Sequence, residues 1–312
     1  MYGLKAFVGA QLPFPLYSAA YALVRESPRR RWRAAKMKQL GLEDWSVIDL
    51  SAYKRSDTLF VLGSGASINR ITDRRLAAVA RHDSVGWNFW VCHPLVPTLY
   101  LFEDVKVESS PVGTREWRID VLDRLVDEMS RRSDYASVPK FLDELRPQER
   151  LLEEKLPLHF QQRLYAANTL MYPARSYHEL RLTLRSLGVR GTFAAQTRLP
   201  TLPKVGFTLG TILSIAICLR YRRIILCGVD VTSPGYFYED ADRYPRMKAF
   251  RSSVAGSTHL SSQVLGLRCR FPDFVRALRD EVMIPLGIEL FVESRTSGLY
   301  PEVPEAPESV FV

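Results

Sequence analysis

Apolar residues along this chain come in short unbroken runs separated by polar or mixed stretches. Residues 59–62 (LFVL) form one such run, and four consecutive apolar positions predict a buried strand. The run stops at Gly63-Ser64-Gly65, and Ala66-Ser67 opens a helix-like pattern over residues 68–80. Residues 84–89 (SVGWNF) predict a second strand with Asn88 near its end, and residues 98–102 (TLYLF) a third, followed by Glu103-Asp104. Charged segments with helical periodicity cover 121–131, 141–155 and 177–187. Segmentation sharpens at Thr208-Leu209-Gly210-Thr211, which leads into an apolar helix over 212–219. Residues 224–227 then predict a buried strand that ends in Gly228-Val229-Asp230. Residues 231–258 are polar, carry Tyr236, Tyr238 and Tyr244, and read as a mobile loop. A last helix is expected over 273–283, a final core strand over 288–292, and an irregular tail over 301–312.

Strands alternating with helices predict an α/β fold with a mostly parallel, Rossmann-like sheet. Three strands whose carboxyl ends carry Ser64, Asn88 and Glu103 would set those groups along one edge, where ligands bind in open α/β sheets. A strand that breaks on glycines and feeds a helix is one way to hold a phosphate, through free N–H groups and a positive dipole end. The spacing matches neither G-x-G-x-x-G nor the P-loop with its lysine, and an ordinary tight strand-to-helix turn fits the same residues. The block 104–190 is expected to be a helical insertion or lid within a domain spanning 51–300, with residues 1–50 as a separate N-terminal arm.

A chain of 312 residues accommodates one large α/β domain. An apolar content of 46 % with 25 % charged residues excludes a disordered chain. The net charge of +9 favours an acidic partner: nucleotide phosphate, nucleic acid or an anionic membrane. In the arm, Phe7, Phe14, Leu16, Tyr17 and Tyr21 precede Arg29, Arg30, Arg31, Arg33, Lys36 and Lys38, with Trp32 inside the basic run. Pro13 and Pro15 argue against a spanning helix. Apolar anchors beside a basic cluster fit attachment to anionic lipid, and an arm packed on its own domain with a solvated basic face fits equally. No RNP pattern, zinc finger or helix-turn-helix is present, so no nucleic-acid partner is expected. Cys92, Cys218, Cys227 and Cys269 show no C-x-x-C spacing and point to a reducing compartment. With no signal peptide evident, the expected location is cytoplasmic, peripheral to the inner face of the cell membrane.

The segments VLGSGAS, WNF and TLGTILSIAICLRYRRIILCGVD together resemble bacterial family-42 sialyltransferases, over 58–103 and 205–300. Members of that family carry a G-N-G-P-S loop, a C-N second-strand end, and a T-S-G helix followed by A-L-G-Y-K-E-I-Y-L-x-G-I-D. The resemblance implies a single-domain glycosyltransferase fold, a Rossmann-like variant of the GT-A type, with a lid over a CMP-activated donor. It also implies inversion at the anomeric carbon. Position by position, the family's first-loop Asn falls on Ser64, its second-strand Asn on Asn88 and its third-strand Asn on Glu103. The T-S-G helix start falls on Thr208-Leu209-Gly210, with Gly206 in place of an Arg. The two phosphate-contacting tyrosines fall on Thr232 and Tyr238, and the catalytic His on His259. The departures at Ser64, Glu103, Gly206, Leu209 and Thr232 leave the donor sugar open.

The residues' own chemistry agrees with that implication. A nucleotide leaving group needs its phosphate stabilised, which Tyr238, Tyr236 and the amides of Gly63, Ser64 and Gly65 can do without a metal. An acceptor hydroxyl needs a base near neutral pH, which a histidine's ordinary pKa supplies, and His259 is the candidate. Taken alone, His259 also fits an exposed loop, Tyr238 a surface aromatic and Asn88 a strand-end turn. His82, His93, His159 and His178 read as structural. Glu103-Asp104 by itself does not make a D-x-D site, so neither a metal nor a cofactor is expected. The resulting expectation is an inverting glycosyltransferase of surface polysaccharide biosynthesis. It would move sialic acid, another nonulosonic acid or Kdo from a CMP-sugar to a glycan or glycolipid, with a homo-oligomer compatible. A flagellin-modifying nonulosonic acid transferase and a nucleotide-binding or pterin pyrophosphokinase-like protein are the alternatives.

Overall fold

The computed structural model describes residues 13–21, 24, 27–103, 114–143, 155–171, 174, 176–204, 208–231, 235–247 and 270–312. The expectations placed on Asp104, Gly206, Thr232 and His259 lie outside them.

Along the described chain run α1 (Phe14–Tyr21), α2 (Ser27–Leu40), β1 (Glu43–Asp44), β2 (Thr58–Leu62), α3 (Asp73–Arg81), β3 (Asp83–Trp87) and β4 (Leu99–Glu103). They are followed by α4 (Arg115–Arg131), β5 (Lys140–Asp143), β6 (Leu164–Ala166), β7 (Thr169–Met171), α5 (Tyr177–Val189) and β8 (Leu202–Lys204). Then come α6 (Thr208–Cys218), β9 (Arg223–Cys227), α7 (Phe271–Leu278) and β10 (Glu289–Val292). Eight strands make one sheet in the order β1-β6-β5-β4-β3-β2-β9-β10, and every pairing in it is parallel. β7 and β8 form a separate parallel pair. The fold is α/β with a Rossmann-like parallel sheet flanked by helices.

Alternation within each strand divides the core between the two faces of the sheet. Leu59, Val61, Ile224 and Leu226 pack with α5, α6 and α7 through Leu184, Ile212, Phe274 and Leu278. Their neighbours Phe60, Leu62, Ile225 and Cys227 pack with α3 and α4 through Val79, Leu125 and Met129. Helices on both faces explain why these strands read as unbroken apolar runs. Hydroxyl caps start three of the helices: Thr72, Thr114 and Ser176 accept the N–H groups of Arg75, Trp117 and Glu179.

Several expectations are corrected. The helix expected over 68–80 is two elements, a 3-10 turn Ala66–Arg70 and then α3, because Thr72 caps a fresh helix. The start of the segment 141–155 is strand: Lys140–Asp143 pairs between β4 and β6, where its alternate side chains fill opposite cores. The block 104–190 therefore supplies two strands of the main sheet and is not a helical insertion upon it. The arm does not end at residue 50 as a separate unit, since Glu43–Asp44 pairs with β6 and Trp45, Ile48 and Leu50 are buried in the core. The described part of 231–258 is packed, with Phe237, Tyr238 and Met247 buried. The tail is irregular as expected, yet Val303, Ala306, Val310 and Phe311 are buried and residues 304–306 hydrogen-bond to Val292. Among the described residues no helix is long and apolar enough to cross a membrane.

Candidate functional site

The strands from β2 run out through β3, β4 and β5 on one side, while β9 and β10 lie on the other. The order reverses between β2 and β9, and such a switch point is where open α/β sheets take ligands at the carboxyl ends of the strands. Here the two loops leaving β2 and β9 are tied together. The Gly63 N–H donates to the Cys227 carbonyl and the Gly65 N–H to the Gly228 carbonyl, both at 2.8 Å. A Cβ on Gly63 would stand 2.5 Å from the Gly228 oxygen, and one on Gly65 2.5 Å from Asp230 Oδ2. Both glycines are therefore required for the approach of two backbones, and their amides are not available to a phosphate. The buried Asp230 carboxylate accepts from the Ser67 N–H at 2.8 Å and from the Ser67 hydroxyl, so the start of the 3-10 turn is also occupied. Beyond Asp230, Val231 lies at φ 56°. A β-branched residue in the left-handed region is strained, and such strain persists only where neighbours hold it. Those neighbours are Ser297 Oγ, donating to the Val229 carbonyl at 2.7 Å, and the Gly298 N–H, donating to the Asp230 carbonyl at 3.0 Å.

Ser64, the half-buried residue between the two glycines, is held to the next loop. Its carbonyl accepts from the Phe237 N–H at 3.0 Å, and Asn69 Nδ2 donates to the Phe237 carbonyl at 2.8 Å, so the 236–239 turn is fastened over the β2 loop. Tyr236 and Tyr238 stack within that turn, centroids 5.1 Å apart. Tyr238 also packs on Phe89 at 4.8 Å, beside Asn88. Only 3 % of Tyr238 is exposed, and burial raises its phenol well above the ordinary range. Tyr236 is the more open of the two, its phenol pushed up to about 12 by burial and then by Glu239. Both keep their protons near neutral pH.

Asn88 sits at φ 51°, a conformation asparagine tolerates, at the turn leaving β3. Its Oδ1 accepts from the Glu103 N–H at 3.2 Å, which joins the ends of β3 and β4. Glu103 Oε1 accepts from Lys204 Nζ at 3.1 Å and from the Thr208 hydroxyl. Lys204 Nζ also donates to Asp143 Oδ2 at 2.7 Å, and Thr211 supports the same oxygen at 3.3 Å. Lys204 is 2 % exposed and Asp143 fully buried, so this is a desolvated ion pair at the carboxyl ends of β4, β5 and β8. Lys204 and Asp143 carry no motif in the sequence.

The structure thus brings Ser64, Asn88, Glu103, Thr208, Tyr236 and Tyr238 onto one edge. Leu209 and Gly210 do not join them. Leu209 is buried in the core, and a Cβ on Gly210 would stand 3.0 Å from the Phe274 ring, which makes that glycine a packing site for α7. The histidines read as structural behave so where their contacts are described. His93 stacks on Trp90 at 4.3 Å and His159 Nε2 contacts the Met129 carbonyl at 2.9 Å. Among the described residues no three His, Cys, Asp or Glu side chains converge as a metal site would require. The arrangement defines an α/β protein whose switch-point edge carries hydroxyl, amide and carboxylate groups suited to a polar, hydroxyl-rich ligand. Comparison with family models, with curated proteins and with solved structures gave no match.

Proposed function

We propose that this protein is an inverting glycosyltransferase that transfers an acidic sugar from a CMP-activated donor to a cell-surface glycan or glycolipid. The observation that carries the reading is the set of polar groups at the carboxyl ends of β2, β3 and β4: Ser64 held to the Tyr236–Tyr238 turn, that turn packed on Phe89, and Asn88 joined to Glu103 and Thr208. Ser64, Asn88 and Tyr236 are neutral donors for ribose and phosphate oxygens, and Glu103 accepts from sugar hydroxyls. With the Gly63 and Gly65 amides committed to β9, stabilisation of the leaving phosphate falls to side chains, Tyr236 foremost and Tyr238 behind it. His259 is the proposed base for the acceptor hydroxyl. The resemblance to family-42 sialyltransferases supports the same assignment of nucleotide and of base, and of a GT-A-like variant fold. The outward-facing Arg30, Arg31 and Lys38 of α2 support a place on an anionic membrane face.

Titration of the full chain with CMP, CDP, UDP, GDP and ATP, with and without EDTA, tests the donor. CMP is expected to bind tightest and to persist in EDTA, and single-turnover transfer is expected to fall ~10²–10⁴-fold in His259→Ala while CMP affinity holds. Tighter binding of UDP or ATP, or wild-type turnover in His259→Ala, would sink the assignment.

A further inference from the structure

Helix α2 meets the rest of the protein through one stripe. Arg29, Trp32, Arg33, Lys36, Met37 and Leu40 are half-buried, while the positions between them are exposed, which is the i, i+3, i+4 spacing of a docked helical face. Trp32, Met37 and Leu40 pack against the core cluster to which α3 and α4 also contribute. Packing explains the apolar members of the stripe. It does not explain Arg33, whose Nη2 is shut off from solvent with no hydrogen-bond partner, and whose guanidinium donates to none of the described residues. A guanidinium carries five donors in a rigid fork, and burying it unpaired is costly.

Two carboxylates lie close enough for Arg33 to feel their charge, Asp143 at the end of β5 and Asp44 at the end of β1. Both are already engaged. Asp143 Oδ2 holds Lys204 Nζ at 2.7 Å, and Asp44 Oδ1 accepts the Ser46 N–H at 2.9 Å. Arg29 and Arg30 add positive charge from the same helix. Burial lowers the guanidinium's pKa from its ordinary value, and the two acids offset that only in part, without filling its fork.

We infer that Arg33 is an oxyanion-binding residue, brought by α2 to the outer end of the carboxyl edge, and that its fork takes a carboxylate or phosphate of the ligand. The inference rests on the transferase reading above in one respect: a CMP-activated acidic sugar presents both groups. It also assigns α2 a role in the site besides any membrane contact. Arg33 is the group that distinguishes an acidic ligand from a neutral one of the same shape, because a planar fork matches a carboxylate or phosphate bidentately.

The test uses the full chain as wild type, Arg33→Ala and Arg33→Lys. Since Arg33 makes no hydrogen bond among the described residues, Arg33→Ala should melt no lower than wild type, which separates a binding role from a structural one. Each protein is titrated with CMP, with CMP-N-acetylneuraminic acid, and with inorganic phosphate followed as thermal stabilisation. A loss of about tenfold or more for the CMP-sugar with CMP unchanged assigns the fork to the carboxylate. An equal loss for both assigns it to the phosphate. Arg33→Lys should recover only part of either, since a point charge cannot reproduce the fork. Wild-type binding of all three probes by Arg33→Ala overturns the inference, as does a wild type that none of them stabilises. A wild type that takes phosphate through Arg33 but binds neither CMP nor the CMP-sugar overturns the transferase reading and leaves Arg33 as an oxyanion site.

Discussion

Replacing Lys204 by methionine tests the polar edge at its most buried point. The side chain fills similar volume, so the change removes charge more than packing. Wild-type Nζ lies 2.7 Å from Asp143 Oδ2 and 3.1 Å from Glu103 Oε1, with Asp143 fully buried and a quarter of Glu103 exposed. Removing one partner of a buried pair costs about 3–5 kcal/mol, because the remaining carboxylate stays desolvated without its counter-charge. Lys204→Met is expected in that range, most of it arising at Asp143, since Glu103 can draw on solvent. Asp143→Leu added to Lys204→Met removes the carboxylate that has lost Lys204 and should recover roughly 1–3 kcal/mol. Recovery stays incomplete because the Thr211 hydroxyl, 3.3 Å from Asp143 Oδ2, loses that acceptor. The measurement is urea unfolding of the four proteins near neutral pH, read as a double-mutant cycle. A Lys204→Met cost below about 1 kcal/mol, or a double mutant as unstable as the sum of the singles, would refute the pairing. The same variant should weaken ligand binding by releasing Glu103 from Lys204, and Glu103→Gln, which keeps the Thr208 contact, should separate charge from orientation.

Acid should destabilise the fold through His93, whose pKa is lowered from 6.5 to about 4 by burial and then by Arg132 and Arg243. Its Nδ1 accepts the Leu95 N–H at 3.1 Å, which requires the neutral ring. The folded pKa lies below the unfolded one, so this contribution is complete above pH 6.5 and is lost as pH falls through about 4. Wild type should lose roughly 3 kcal/mol more than His93→Asn over that window in urea melts, and parallel losses would refute it. Gly65→Ala places a Cβ 2.5 Å from Asp230 Oδ2 and 2.7 Å from the Gly228 oxygen, so it should cost about 1–3 kcal/mol and lower the melting temperature. Wild-type stability would mean that the β2 and β9 loops are not interlocked. Tyr236→Phe should slow donor cleavage more than it weakens CMP binding, since leaving-phosphate charge grows only as the bond breaks; an effect on binding alone would place Tyr236 elsewhere. Charge reversal at Arg30, Arg31 and Lys38, all exposed on α2, should abolish flotation with phosphatidylglycerol vesicles while leaving the unfolding curve intact. Unchanged flotation would remove α2 as the membrane contact.

Strands 59–62 and 224–227 were legible because residues buried on both faces leave an unbroken apolar signature in the sequence itself. The helix over 177–187 was legible for a related reason, a local period confirmed by the Ser176 cap. Carboxyl-end placement of Ser64, Asn88 and Glu103 followed from strand order, since parallel strands share one direction. Residues 141–143 fall at the start of the expected helix because three positions are too few to distinguish the two periods, and the partners that make them a strand come from β4 and β6. Gly63 and Gly65 signal a phosphate-holding loop or a tight turn in the sequence; that they instead admit the backbone of residues 227–228 depends on the pairing of β2 with β9. Lys204 is separated by 61 positions from Asp143 and by 101 from Glu103, with no spacing rule to join them. Arg33 is one cation in a basic run by sequence, and the docking of α2 shuts its Nη2 away from water. Sequence by itself determined what neighbouring residues decide together: the elements, their polarity and the edge on which their ends gather. Tertiary structure alone decided which charges lost water and which partners replaced it, because desolvation is a property of the assembled core.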